Sequence, residues 1–424
     1  MILLKKLFLK KISIVLTIDI FTKFLSLIIL PLYLNYMPKN EFGEFGFLFT
    51  SAITASTLMS LNLYVIIIRD LSKNLSFLTK KKIFSTLIIF ITIFNIFFLL
   101  LTLFLEYNFY TVSNFYGILN FKLEKIIFTL LIVFFNVISL FQYSLILSRK
   151  RAFEICVYIF FKFAFANFIS LYFLISFNTH FDTVFLRLLG ILSAEIILFF
   201  FIQFLIKKNF ISFYFDWTYL KSKIYITSPL ILSTFISLIM INIDRKILQI
   251  HYGNLYLADY NLVYLLLLPL AMIVSSIQSI WSPKLFSIKN YLLAFKETHA
   301  LLKYIFIFLL FIGASIYLVI YFSFKIKFIN TSYYNVLPLF LAMVPGTIFG
   351  VLINFLDGLN LYLNKTHYKL IVTLVIAIIF SVLCIMLIPN YNYFGVAGAL
   401  FIANLIGFTL GYLLVFNNYK KNEK

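Results

Sequence analysis

The chain has 424 residues, 63% of them hydrophobic and 12% charged, with a mean hydropathy of +1.04 and a formal net charge of +20. A soluble domain runs near half apolar and a quarter charged, so this much apolar surface cannot be hidden inside one water-soluble core. The basic excess lies in short clusters such as Lys80-Lys81-Lys82 and Arg149-Lys150-Arg151, none long enough to track a phosphate backbone; this excludes a nucleic-acid partner and makes the lipid bilayer the solvent.

A spanning helix takes about 20 mostly apolar residues. In chain order such segments fall near 12–36, 46–68, 83–105, 126–147, 153–177 and 183–206, then near 225–249, 256–282, 300–323, 335–360, 366–388 and 393–416. The first follows Lys5, Lys6, Lys10 and Lys11, but it is long and lacks a clear small-residue cleavage site, so it reads as an uncleaved helix. A tight turn at Pro389-Asn390 is expected to separate the last two spans. Cys156 and Cys384 fall inside apolar runs and read as small hydrophobes. His180, His251, His299 and His367 are placed at helix ends in interfacial roles. No metal-ligand spacing and no phosphate-binding loop occurs, so no cofactor is expected.

Charge placement orients the helices. Of 35 Lys and Arg, 25 fall in segments on the N-terminal side of the membrane and seven on the other, with Lys23, Lys162 and Arg187 inside spans. The seven are Lys39, Lys122, Lys125, Arg245, Lys246, Lys325 and Lys327. Basic residues accumulate on the cytoplasmic side, so both termini are expected there. The longest loops, 106–125 and 207–224, are too short for a domain of their own, and the chemistry must lie within the bundle.

The two halves resemble one another. Glu41 through Phe47 and Tyr256 through Leu262 both place small or acidic residues ahead of an aromatic that opens a helix, 215 positions apart. The same offset lays Gln142 through Phe153 on Asp357 through Tyr368. With six spans per half the copies share one orientation. The fold expected is an all-α membrane protein of two parallel six-helix lobes around a central cavity: lobe 1–206, a cytoplasmic linker 207–224 and lobe 225–424.

Charges inside spans are the site candidates, because each costs about 3 kcal/mol on insertion scales. Asp19 and Lys23 lie i,i+4 on the first helix, as a self-neutralised pair or as cavity groups. Lys162 sits mid-span with no acid within a turn of its own helix, so it is expected to line a cavity as a lone cation. On that expectation Lys162→Ala relieves an insertion penalty, so expression holds steady or improves. Arg187 is near the outer end of the sixth span, snorkelling or lining the cavity, and Glu195 lies deeper. Asp244 and Arg245 are adjacent near the outer end of the seventh, facing headgroups or cavity in different directions; Asp357 is near the inner end of the tenth. Lys23, Lys162, Arg187 and Arg245 suit an anionic headgroup, while Asp19, Glu195, Asp244 and Asp357 are candidates for a coupling ion or for structure.

Leu30-Pro31-Leu32-Tyr33-Leu34 followed by Phe42-Gly43-Glu44-Phe45-Gly46-Phe47 resembles the first helix and loop of polysaccharide flippases. Ser228-Pro229-Leu230, Asp244-Arg245-Lys246-Ile247-Leu248 and Ala258-Asp259-Tyr260 continue the likeness, as do Trp281 through Phe286 and Phe394 through Leu400. Together they resemble the Wzx-type O-antigen or capsule unit flippases of the multidrug/oligosaccharidyl-lipid/polysaccharide exporter superfamily. The resemblance implies a non-enzymatic transporter of the bacterial inner membrane. Its cargo would be an undecaprenyl-diphosphate-linked oligosaccharide, moved by alternating access, with a polysaccharide polymerase and chain-length regulator as partners. Surface polysaccharide would then fall in Lys162→Ala while expression holds steady or improves. Two alternatives stand beside it: a cation-coupled drug exporter of the same superfamily, and a polysaccharide polymerase or ligase, which generally carries a substantial periplasmic loop.

Overall fold

The computed structural model describes residues 17–423 apart from 19–20, 23–24, 27, 72–75, 114–122, 150–151, 178–180, 207–212, 289, 328 and 364. Asp19, Lys23 and His180 therefore lie outside the described residues, as does the side chain of Asp357. Among the described residues the regular elements are all helical. They run α1 (described over 28–36), α2 (Lys39–Met59), α3 (Leu63–Leu71), α4 (Phe77–Ser113), α5 (Leu123–Ser148) and α6 (Ala152–Phe177), then α7 (Thr183–Ile206), α8 (Trp217–Ser287), α9 (Tyr291–Lys325), α10 (Val336–Tyr362) and α11 (Thr366–Glu423). Eight of the described helical stretches are long and apolar enough to cross a bilayer.

Two of those eight, Ile231–Val274 and His367–Asn417, are far longer than one crossing and each contains a reversal. In α8 it falls at Gly253, whose φ of 74° is open to a residue without Cβ. In α11 it falls at Asn392 (φ 48°), two residues beyond the turn expected at Pro389-Asn390; a positive φ is uncommon outside glycine, and asparagine is enriched among the exceptions. Both arms fold back on themselves: Arg245 bonds Asn261 across the first reversal, and Gly407 meets Ile376 across the second. Each long element is thus a hairpin.

The second expected span, 46–68, is not one helix. It ends at Met59, turns through Leu61 and Asn62 with φ of 49° and 53°, and resumes as α3. Such backbone costs roughly 1–2 kcal/mol per residue and frees carbonyls that lipid cannot satisfy. Asn95 of α4 donates its amide to Met59 O (3.4 Å) and the Asn62 amide donates to Thr234 (3.0 Å), so neighbouring helices stabilise the break.

Cα packing divides the chain into two compact units, Met1–Met37 with Leu48–Leu238, and Pro38–Phe47 with Ile239–Lys424. The first is centred on Leu63, Ile67, Leu87, Ile91, Phe141 and Leu145, all fully buried, from α3, α4 and α5. Within it α6 and α7 form a tight hairpin, where a Cβ on Gly190 would lie 2.5 Å from Ser170 Cα. The second unit packs α10 against the α11 hairpin, with Asn404 donating to Gly346 O at 2.9 Å. Helix starts keep the repeat's spacing: the second arm of α8, α9, α10 and α11 begin 213–215 residues after α2, α4, α5 and α6.

At the start of α8 the Asp216 carboxylate caps the helix, accepting from the Thr218 hydroxyl (2.6 Å) and the Tyr219 N–H (3.0 Å), which hold it below the usual carboxylate range.

Candidate functional site

In the first unit the candidate charges gather where α5, α6 and α7 meet. Lys162 Nζ lies 3.1 Å from Glu195 Oε1 and donates to Asn136 Oδ1 at 3.3 Å. The other Glu195 oxygen accepts from Ser139 Oγ at 2.6 Å. Tyr158, one turn before Lys162, donates to Ser139 O at 3.4 Å and stacks on Tyr143. The expectation of a lone cation is corrected: Lys162 is paired, and its partner comes from the neighbouring antiparallel helix rather than its own. The pair is asymmetric, the Glu195 side chain being 6% exposed and that of Lys162 36%. The acid is the more deeply buried member of the pair.

Arg187 does not snorkel. It is buried, with its guanidinium 3.8 Å from the centre of the Tyr33 ring and Nη1 donating to Met37 S at 3.3 Å. Tyr33 in turn donates to Asn167 O (3.0 Å), tying α1 to α6 by that hydrogen bond and to α7 by the cation–π contact.

In the second unit Asp244 and Arg245 are both buried, so they do not face headgroups as a helix-end pair. Being adjacent, they engage consecutive residues of the returning arm of α8. The Tyr260 hydroxyl donates to Asp244, and Arg245 Nε donates to Asn261 Oδ1 at 3.2 Å. Arg245 also donates to Ile241 O (2.6 Å), faces the Tyr264 ring at 4.7 Å, and lies 3.8 Å from Asp244 Oδ1. Asn261 passes the connection on, its amide donating to Gly43 O (3.2 Å). Beside it, Lys39 binds both oxygens of Asp259 (2.7 and 2.8 Å) and donates to Ser332 O at 2.8 Å.

Lys39, Asp259, Tyr260 and Asn261 were not singled out as site residues from the sequence. Tyr260 and Asn261 had a usable signal, since 244/260 and 245/261 straddle the Gly253 reversal symmetrically. Asp70 was missed too: it binds Lys223 Nζ (2.9 Å) and accepts from the Tyr219 hydroxyl (2.9 Å), about 150 residues away, and no local pattern announces such a contact.

Long apolar helices, reversals inside the bundle, a broken second span and internally paired buried charges define a multi-pass helical membrane protein. Discontinuous helices and satisfied charges at membrane depth are the structural habit of such proteins. The family profile described as "Polysaccharide biosynthesis protein" matches residues 8–289, and the chain belongs to that family. In fold it is similar to the lipid II flippase MurJ in an inward closed conformation, with TM-score 0.71 and 17% identity, covering 98% of this chain and 89% of that one. It is also similar to a MOP superfamily transporter from Pyrococcus furiosus (TM-score 0.66, 12% identity, 98% and 96% covered). An inward-facing MATE family transporter of the same superfamily matches at TM-score 0.59 with 12% identity, 97% and 95% covered. Among curated protein sequences none matches. The fold is the two-lobed all-α fold of that superfamily.

Proposed function

We propose that the chain is a flippase carrying an undecaprenyl-diphosphate-linked oligosaccharide repeat unit, of O-antigen or capsule type, from the cytoplasmic to the periplasmic leaflet by alternating access. It resides in the bacterial inner membrane with both termini cytoplasmic, its lobes being 1–206 and 225–424 joined by 207–224, and it hands its cargo to a polymerase and chain-length regulator. The observation that carries this reading is the family match over residues 8–289. Charge alone does not choose the cargo: pairing of Lys162 with Glu195, and of Arg245 with Asp244, weakens the electrostatic objection to a cationic drug that four unpaired cations would have raised. What supports a role for Lys162 is its partly exposed side chain, whose ammonium is held by a buried carboxylate and could exchange that partner for a diphosphate oxygen. The test is a deletion strain. Loss of surface polysaccharide, with lipid-linked single repeat units building up inside, supports the reading; normal polysaccharide with altered drug tolerance overturns it.

A further inference from the structure

The second unit carries a groove of about 580 Å³ between α9 and the last arm of α11 that none of the pairings above uses. Its polar end holds Lys296, His299 and Lys303, and no acid among the described residues lines it; Glu297, on the same turn, is outside it. The positions 296, 300, 303 and 307 form one stripe of α9, spaced i, i+4, i+7 and i+11, and all four side chains are exposed. Ala300, the smallest of them, leaves the recess between the two lysines. The floor is built of stacked rings: Phe295 lies flat on His299 at 6.1 Å, Tyr412 on Phe416 at 6.1 Å, and His299 Nδ1 is 3.3 Å from the Tyr412 hydroxyl.

The length of α9 fixes the depth of this groove. At 35 residues it is roughly 50 Å long, well beyond the ~30 Å hydrocarbon layer. The apolar stretch 304–324 fills that layer, and Lys296, His299 and Lys303 all precede it. Lys303 and Tyr304 thus stand where phosphates and aromatic belts sit. From there the groove continues along Tyr304 and Ile307, exposed and apolar, as an acyl chain would run.

We propose that this groove binds an anionic phospholipid of the leaflet facing the lysine-rich side, with its phosphate between Lys296 and Lys303 and a chain along Ile307. Two cations without a lining acid favour an anion over a zwitterion, and the apolar continuation favours a lipid over free phosphate. The site does not depend on the identity of the cargo.

Native mass spectrometry of the purified full-length protein tests it, with dioleoyl phosphatidylglycerol, dioleoyl phosphatidylcholine, inorganic phosphate and undecaprenyl diphosphate as separate probes. Phosphatidylglycerol should bind in preference to phosphatidylcholine. Lys296→Ala with Lys303→Ala should weaken it about thirtyfold, taking the usual worth of two basic side chains at an anionic surface. Ala300→Trp, which fills the recess while keeping both charges, should displace it too. All three positions are exposed, so lipid-free melting should match the parent protein. Unchanged phosphatidylglycerol binding in both variants overturns the proposal. So does equal affinity for phosphatidylcholine, displacement by millimolar phosphate, or a loss confined to undecaprenyl diphosphate.

Discussion

Replacing Lys162 by methionine keeps most of the side-chain volume and removes only the charge. Two unit charges 3.1 Å apart attract by about 5 kcal/mol at an effective dielectric of about 20. Desolvation of both groups offsets part of that, while breaking one side of a buried pair typically costs ~3–5 kcal/mol because the other charge is stranded. Glu195, 6% exposed, would be that stranded group, with the Ser139 hydroxyl as its remaining hydrogen-bond partner among the described residues; the 36% exposure of the Lys162 side chain trims the loss. A net destabilisation of about 2–3 kcal/mol follows, or a fall of about 5–10 °C in melting temperature for a unit of this size. Melting of the purified protein in detergent reads it, and the double variant Lys162→Met/Glu195→Gln should recover most of the loss. This reverses the expectation from sequence that removing Lys162 leaves expression steady or improved. If the single variant melts like the parent, or the double variant does no better than the single, the pair is not what holds this site.

Three further outcomes are expected. A Cβ on Gly43 would lie 2.1 Å from the Asn254 carbonyl oxygen, whereas at Gly253 nothing stands within 4 Å, so Gly43→Ala should lower the melting temperature more than Gly253→Ala, which carries only its backbone strain of about 1–3 kcal/mol. Gln142 is buried and neither amide atom has a hydrogen-bond partner among the described residues, so Gln142→Leu should stabilise the protein by about 1–2 kcal/mol; a lower melting temperature would mean the amide is satisfied. Reporter fusions at Asn330 and Asn392 should read periplasmic, and fusions at Lys81, Arg149 and Lys424 cytoplasmic; a periplasmic C-terminus would overturn the orientation.

Much of the helical scaffold was legible because hydropathy is a local quantity. The spans expected at 153–177 and 183–206 match α6 and α7 within a residue. The break between α2 and α3 was not legible: Leu61 and Asn62 carry no glycine or proline signal, and what stabilises the turn is Asn95 and Thr234 on other helices. Pairing of Lys162 was missed because only its own helix was searched. In an antiparallel hairpin, residues equidistant from the turn lie level, and 162 and 195 stand almost symmetrically about 178–180. Lys39 and Asp259 are 220 residues apart, so their contact is a property of the folded unit alone.

Three of the basic residues that break the charge rule have a structural reason to do so. On the orientation proposed above, seven cations fall on the outer side, where positive charge is disfavoured during insertion whatever acids lie nearby. Lys39 is held by Asp259 at 2.7 Å, Lys125 by Asp182 at 2.7 Å, and Arg245 sits buried beside Asp244 with hydrogen bonds to Ile241 O and Asn261. Each links separate stretches of chain: Lys39 joins the start of α2 to the returning arm of α8, Lys125 joins the start of α5 to the residue before α7, and Arg245 joins the two arms of α8. Replacing a cation that ties helices together removes those contacts, whereas replacing an exposed one without them costs little. By that criterion Lys325 and Lys327, both exposed on the same side, are the outer cations to replace first without affecting stability.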